Sequence, residues 1–212
     1  MIRTVLFDFD GTIFDTGEGI TKSVLYALNK LGIDERLEDL FVFCGPPLVT
    51  MFKERYSFDD ETADLAVSYF RERYSPIGWK ECKPYPGIAE LIRTLRERNK
   101  EIIVATSKPT HFANQIIEEY GMKSLFDLVV GSSFNGDRTT KSEVIQEAMR
   151  LSSHSAKEMI MVGDRKYDVI GAHSLGIPCI GVRYGFSEVN ELENACCDFI
   201  VDEPKDILDI IP

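Results

Sequence analysis

Several features that commonly mark a protein class are missing from these 212 residues. No uninterrupted apolar stretch approaches the roughly 20 residues of a membrane-spanning helix, so we expect no membrane partner. The opening residues, MIRTVLFDFD, turn acidic where a signal peptide needs a longer apolar region, which predicts a cytoplasmic location. With 44% apolar and 28% charged residues, the chain is expected to be globular.

Basic, thiol and imidazole side chains are also scarce. The 24 lysines and arginines are outnumbered by 35 acidic residues, and the formal net charge of -11 argues against a nucleic-acid partner, whose phosphates need clustered positive charge. The 5 cysteines show no C-x-x-C spacing, so free thiols are expected rather than disulfides or a zinc site. The 3 histidines are scattered, which gives no support to a histidine-centred mechanism.

Short apolar segments alternate with helical patterns along most of the chain. Strands are predicted at 4–9, 101–106, 126–131, 158–163, 178–182 and 198–202. Several of these segments are apolar throughout, which is typical of strands covered on both faces. Alternation of strands and helices predicts an α/β fold with a parallel sheet and right-handed crossovers.

One stretch, residues 18–79, breaks this alternation, because it contains only helical patterns. The sequences DTGEG and KPYPGI, rich in backbone-turning residues, flank it. We interpret it as a helical insertion after the first strand, which divides the chain into a core of residues 1–15 and 83–212 and a helical domain of residues 16–82. The alternative is that these helices pack directly on the sheet, since helical periodicity is compatible with both arrangements.

The first predicted strand ends in an acidic motif, DFDGT. Alternate strand residues face the same side, so Asp8 and Asp10 are expected to point together toward the C-terminal end of the strand, where Gly11 permits a sharp turn. In an open parallel sheet, ligands bind at that edge. Two close carboxylates repel each other unless one is protonated or a hard cation such as Mg²⁺ lies between them. The alternative is a plain turn with solvated acids.

A second acidic motif, GDRKYD, follows the strand predicted at 158–163. Asp164 is expected at the N-terminus of the next helix, with Asp168 one turn later on the same face. Because each of these two strands is followed by two acidic residues, we expect a metal site built from four carboxylates. The stability of the sheet alone gives no reason for such a cluster of acids.

Hydroxyl and ammonium groups follow two other predicted elements. The strand EIIVAT ends in Thr106, and Ser107 and Lys108 come next, side chains suited to phosphate oxygens. Lys141 begins a predicted helix, where the helix dipole and the free N–H groups favour an anion. We therefore expect one site that combines a cation held by acids, an anion held by hydroxyl and ammonium groups, and an acid able to attack.

In their order and spacing, DFDGT, Thr106-Ser107, Lys141 and GDRKYD resemble the motifs of the haloacid dehalogenase superfamily, and especially its phosphoglycolate phosphatase-like branch. The resemblance covers the whole chain. It implies an α/β fold with a Rossmann-like parallel sheet core and a small all-helical cap domain inserted after the first strand. The loop at 44–48 is similar to a cap loop of that branch, and Gly45, Pro46 and Pro47 are expected to meet the leaving group. The alternative is a break between helices with no role in ligand binding.

The resemblance also implies a two-step hydrolysis of a phosphate monoester. Asp8 is expected to be the nucleophile that forms an aspartyl-phosphate, and Asp10 to be the general acid and then the general base. Mg²⁺ is expected to be bound by the Asp8 carboxylate, the Asp10 backbone carbonyl and Asp164, with Asp168 in support. The residues alone do not decide which of the paired acids attacks.

The transferring phosphoryl group is expected to be held by Thr106 and Lys141. Ser107 is an alternative source of the hydroxyl, although the end of the strand favours Thr106. Many members of the family have a proline after the lysine, whereas Ser142 follows here, so Lys108 is an alternative phosphate-binding lysine.

The predicted substrate is a small phosphorylated metabolite, as in a phosphoglycolate phosphatase. A 5'-nucleotidase or a pyrophosphatase of the same superfamily, or a sugar-phosphate mutase, would fit the same core. Asp10 argues against a dehalogenase, because a halide leaves without needing a proton. A non-catalytic binding protein is the least supported alternative, since every catalytic position is filled.

Overall fold

A computed structural model of the protein describes residues 1–132, 138 and 140–212. Its backbone divides into two compact units, the first formed by Met1–Phe14 with Pro84–Pro212 and the second by Asp15–Lys83. These bounds lie close to those of the sequence-based division. A cap role for the second unit stays a prediction.

The strands and helices have the following bounds. The strands are β1 (Thr4–Phe7), β2 (Phe14–Asp15), β3 (Lys83–Pro84), β4 (Glu101–Pro109), β5 (Leu128–Ser132), β6 (Met159–Gly163), β7 (Cys179–Val182) and β8 (Phe199–Val201). The helices are α1 (Gly17–Lys30), α2 (Leu48–Tyr56), α3 (Asp60–Tyr74), α4 (Ile88–Glu97), α5 (Thr110–Glu119), α6 (Lys141–Leu151), α7 (Lys166–Ser174), α8 (Glu191–Asn194) and α9 (Ile207–Ile210).

The first unit contains a six-stranded parallel sheet with the order β5-β4-β1-β6-β7-β8. The four residues of β1 are fully buried, because this strand lies at the centre of the sheet. Val5 is in register with Ile102 of β4 on one side and with Ile160 of β6 on the other. Helices α4 to α7 pack against the sheet, so the prediction of a Rossmann-like α/β core is confirmed.

All six predicted core strands are present, and two of them end more than one residue from the predicted position. The first ends at Phe7 instead of residue 9, because the Phe9 carbonyl accepts the N–H groups of Ile13 and Phe14, each at 3.0 Å, and thereby closes a turn. Strand β4 instead continues past residue 106 to Pro109, with an irregular register against β5 beyond Thr106.

The second unit is helical, as its sequence pattern predicts. Helices α1, α2 and α3 enclose buried aromatic side chains, among them Phe43 and Phe52, whose ring centroids are 5.0 Å apart. The Arg73 guanidinium donates two hydrogen bonds to the Glu81 carboxylate, at 2.8 and 2.9 Å. The short strands β2 and β3 pair with each other where the chain passes between the units. Among the described residues, no helix is both long and apolar enough to cross a membrane.

Candidate active site

The carboxyl ends of β1 and β6 lie side by side and carry the predicted acidic residues. Phe7 is in register with Val162, and the Asp8 N–H continues this pairing by donating to the Val162 carbonyl at 2.8 Å. Carboxylate oxygens of Asp8, Asp164 and Asp168 all lie within 4.8 Å of one another. The two acidic motifs therefore meet at one edge of the sheet.

Lys141 lies among these carboxylates. Its Nζ is 2.7 Å from Asp8 Oδ1 and 2.8 Å from Asp168 Oδ1, and the three side chains are only 5%, 4% and 1% exposed. The ammonium also donates to the Ala105 carbonyl at 3.3 Å. Lys141 is the first residue of α6, whose N-terminus is fixed by a reciprocal capping box between Thr140 and Glu143.

A second buried ion pair joins Lys108 and Asp10, with 2.9 Å between Nζ and Oδ1. The Lys108 N–H donates to the Thr106 hydroxyl at 3.1 Å. Thr106 is buried and Ser107 is half-buried. Each of the two lysines thus contacts a different member of the first acidic motif, Lys141 the residue Asp8 and Lys108 the residue Asp10.

The Asp164 carboxylate is held on both oxygens. The Thr12 hydroxyl donates to Oδ1 at 3.2 Å, and the Phe186 N–H donates to Oδ2 at 2.7 Å. Helix α7 begins at Lys166, so Asp164 precedes it and does not lie at its N-terminus as expected. Asp168 does lie in the first turn, where its Oδ2 accepts the Arg165 N–H at 3.0 Å.

Two glycines leave room for Asp164. A Cβ on Gly11, which has a φ of +81°, would lie 2.1 Å from Asp164 Oδ2. A Cβ on Gly185 would lie 2.3 Å from the Asp164 Cβ and 2.3 Å from the Gly11 carbonyl oxygen. Both distances are too short for a real Cβ atom, so Gly11 and Gly185 must be glycine if Asp164 is to lie where it does.

Burial strongly affects the ionisation of this group. Loss of hydration raises the pKa of Asp8 from 3.8 to about 7, since it outweighs the attraction of the Lys141 ammonium. Burial, followed by the charges of Asp168 and Asp8, raises the pKa of Asp164 well above its ordinary value. Burial alone would lower the pKa of Lys141, but the Asp168 and Asp8 carboxylates outweigh it and raise this pKa. The acids therefore favour an additional positive charge.

A divalent cation that prefers oxygen ligands fits this group of side chains. Asp8 Oδ1 and Asp168 Oδ1 are buried and lie 2.7 and 2.8 Å from the Lys141 ammonium, so positive charge already occupies the space between the acids. The buried carboxylates of Asp8, Asp10, Asp164 and Asp168 and the buried ammonium groups of Lys108 and Lys141 together carry a formal charge equal and opposite to that of one divalent cation. Both observations are consistent with a metal site.

The predicted leaving-group contacts lie in the second unit. Gly45, with a φ of +106°, Pro46 and Pro47 lie between a 3₁₀ helix, Leu37–Phe43, and α2. Their contact with a substrate stays a prediction.

Sequence reasoning did not assign a site role to Thr12, which binds Asp164, or to the segment 184–186 after β7. In this segment the Tyr184 hydroxyl donates to the Thr12 carbonyl at 3.1 Å, and Phe186 binds Asp164. A signal was available, since Gly185 stands between two aromatic residues directly beyond the carboxyl end of a strand. Its link to Asp164 could not be inferred from the sequence, because it depends on β7 lying next to β6 in the sheet.

Solved structures and curated proteins with similar sequences point to one class. The crystal structure of a "predicted phosphatase" from Clostridium acetobutylicum superposes with a TM-score of 0.95, at 46% identity over 99% of both chains. A 5'-nucleotidase of Pseudomonas aeruginosa is 43% identical over 89% of this chain and 86% of its own length. The pyrophosphatase PpaX of Halalkalibacterium halodurans is 28% identical over 99% of this chain and 97% of its own length. Together with the fold, these similarities define a hydrolase of the phosphatase class with a Rossmann-like parallel sheet.

The family model described as haloacid dehalogenase-like hydrolase matches residues 5–182. The chain therefore belongs to the haloacid dehalogenase-like hydrolase family. This membership and the phosphatase names among similar proteins confirm the prediction of an enzyme of the phosphatase class.

Because there is no space for a side chain between Gly185 and Asp164, we expect Gly185→Ala to reduce activity. The new methyl group must displace Asp164 or the Gly11 backbone, and a displacement of this size in an active site lowers kcat/KM by a factor on the order of 100. Release of phosphate from an aryl phosphate, assayed with Mg²⁺ present, measures the effect.

Gly121→Ala is the matched control. Gly121 has a φ of +64° but open space around its Cβ position, so alanine should cost about 1 kcal/mol of stability and leave kcat/KM unchanged. Full activity in Gly185→Ala would contradict the proposed importance of this clearance.

The raised pKa of Asp8 gives the metal-free protein a contribution to stability that is lost as pH rises. The folded state binds the Asp8 proton more tightly than the unfolded state, so stability is lost between the ordinary value of 3.8 and about 7. The Tm of the wild-type protein minus that of Asp8→Asn should therefore decrease as pH rises across this range, as measured by thermal unfolding in a chelator.

Asp202→Asn provides a comparison, since Asp202 is exposed and lies far along the chain from the acidic motifs. Its pH profile should match that of the wild-type protein. Parallel profiles for wild type and Asp8→Asn would rule out a raised pKa of Asp8.

Proposed function

We propose that the protein is a Mg²⁺-dependent phosphomonoesterase that acts through an aspartyl-phosphate on Asp8. The observation that carries this proposal is the position of Lys141, whose ammonium lies within 2.8 Å of carboxylate oxygens from both Asp8 and Asp168. A cation and a nucleophilic carboxylate are thereby held together at the sheet edge where ligands bind in open α/β folds.

Asp8 is the nucleophile in this mechanism. One of its carboxylate oxygens attacks phosphorus as the bond between phosphorus and the ester oxygen breaks. Asp10 enters this step as the protonated acid and gives its proton to the departing alkoxide; the resulting carboxylate then takes a proton from the water that hydrolyses the aspartyl-phosphate. Phosphate leaves, and both carboxylates return to their starting state. Lys108, 2.9 Å from Asp10 Oδ1, holds that carboxylate in place.

Asp8, Asp164 and the Asp10 backbone carbonyl are the proposed ligands of Mg²⁺, and Asp168 supports them. When bound, Mg²⁺ neutralises charge that develops on the phosphoryl oxygens. Thr12 and Phe186 orient the Asp164 carboxylate through the hydrogen bonds described above.

Lys141 and Thr106 are the proposed contacts of the transferring phosphoryl group. The ammonium of Lys141 already lies beside the nucleophile, which favours it over Lys108 for this role. The Thr106 hydroxyl is buried on β4, next to β1 in the sheet. Its Ser107 neighbour remains the alternative hydroxyl.

The proposed substrate class is nucleoside 5'-monophosphates. Its support is the relative named 5'-nucleotidase, which is 43% identical over 89% of this chain. Pyrophosphate is the second candidate, supported by the more distant relative named pyrophosphatase. Phosphoglycolate, the substrate suggested by the sequence motifs, is a third.

Asp8→Asn should lower phosphate release by a factor of about 10³ or more, because the amide cannot attack phosphorus. Its far-UV circular dichroism should match that of the wild-type protein. Asp202→Asn should retain full activity, and wild-type turnover by Asp8→Asn would exclude the aspartyl-phosphate mechanism.

A panel of substrates distinguishes the candidate activities. With Mg²⁺ present, kcat/KM for phosphate release should be highest for a nucleoside 5'-monophosphate, ahead of pyrophosphate and phosphoglycolate. The panel also includes a hexose phosphate, for which a mutase would give an isomer and little free phosphate. No turnover of any member would contradict the proposal and favour a binding protein.

A further inference from the structure

Glu191, the first residue of α8, is a buried carboxylate that accepts four hydrogen bonds. The Arg165 Nε donates to Oε1 at 2.9 Å and to Oε2 at 3.2 Å. The Lys166 N–H donates to Oε1 at 2.8 Å, and the Glu188 N–H donates to Oε2 at 3.0 Å. Both carboxylate oxygens are therefore fully engaged, although Glu191 belongs to neither acidic motif.

The donors come from the two segments that surround Asp164. Arg165 and Lys166 directly follow Asp164 in the chain. Glu188 follows Phe186, whose N–H binds Asp164 Oδ2. Glu191 thus connects the backbone that carries Asp164 to the backbone that fixes its orientation.

The pair of Arg165 and Glu191 is as well buried as the reacting groups, with side chains 5% and 6% exposed. Burial raises the pKa of Glu191, but Arg165 and the two backbone N–H donors outweigh it, so this pKa is lowered overall. Buried ion pairs of this kind add little net stability compared with an apolar pair of the same shape. What the pair does provide is a fixed geometry for two adjacent segments.

We propose that Glu191 is a positioning residue for the metal site, which sets the affinity for Mg²⁺ by fixing the orientation of Asp164. This inference rests on the proposed Mg²⁺ site. Glu191 acts through Arg165 and Lys166 on one side and through Glu188 and Phe186 on the other. Losses of 10-fold to 100-fold in metal affinity are typical when such outer hydrogen bonds are removed.

Glu191→Gln tests this role. Glutamine keeps the shape of the side chain but has one acceptor oxygen and no charge, so the N–H of either Lys166 or Glu188 loses its acceptor. The midpoint of the Mg²⁺-dependent increase in Tm should move to concentrations about tenfold higher. The Mg²⁺ concentration for half-maximal phosphate release should move by the same factor, while kcat at saturating Mg²⁺ should change less than about threefold.

Glu193→Gln is the matched control. Glu193 lies two residues further along α8, and its carboxylate makes an exposed ion pair with Arg183 at 2.7 Å. The same chemical change is therefore made on the same helix without touching the buried pair. Its Mg²⁺ midpoint should equal that of the wild-type protein.

Glu191→Asp keeps the charge and both oxygens but withdraws them by one methylene group, and its Mg²⁺ midpoint should lie between those of wild type and Glu191→Gln. If Glu191→Gln does not fold, an increased midpoint in Glu191→Asp carries the same support. A lower Tm in both variants with an unchanged Mg²⁺ midpoint would overturn the inference, since it would assign Glu191 a purely structural role. Absence of any Mg²⁺ effect on the wild-type Tm would overturn the proposed metal site, and this inference with it.

Discussion

The buried ammonium of Lys141, shared between Asp8 and Asp168, is the contact on which the site depends. It joins three parts of the first unit, the end of β1, the start of α6 and the first turn of α7. Without this charge, closely spaced carboxylates in a dry environment would repel one another. The cost of assembling the acids is thus reduced by the same ammonium group that we propose as a contact of the phosphoryl group.

The Asp164 carboxylate is held in place by uncharged groups instead of by a lysine. Thr12 and Phe186 donate to its two oxygens, and Gly185 gives it room. These residues come from the segments after β1 and after β7, on either side of β6 in the chain and in space. The orientation of the Asp164 carboxylate therefore depends on groups that follow three neighbouring strands, and these groups meet because β1, β6 and β7 are adjacent in the sheet.

Much of this could be predicted from the sequence, and the part that could not has a physical reason. Apolar segments and helical periodicity predicted the six core strands, because strands buried on both faces must be apolar. The acidic motifs predicted a common edge for Asp8 and Asp164, because parallel strands end together. The partners of Lys108 and Glu191 were not predictable, since single charged residues carry no periodic signal and their pairing depends on packing. The end of β1 at Phe7 was likewise set by a local turn.

The central position of β1 has a consequence for how the chain becomes a folded protein. Its neighbours, β4 and β6, are synthesised long after it, and the N–H of Phe186 and the carboxylate of Glu191 come later still. Contacts between residues so distant in the chain form slowly. During synthesis, the acidic end of β1 can be buried between its neighbours only after β6 has been made, so the candidate site is among the last parts of the first unit to assemble.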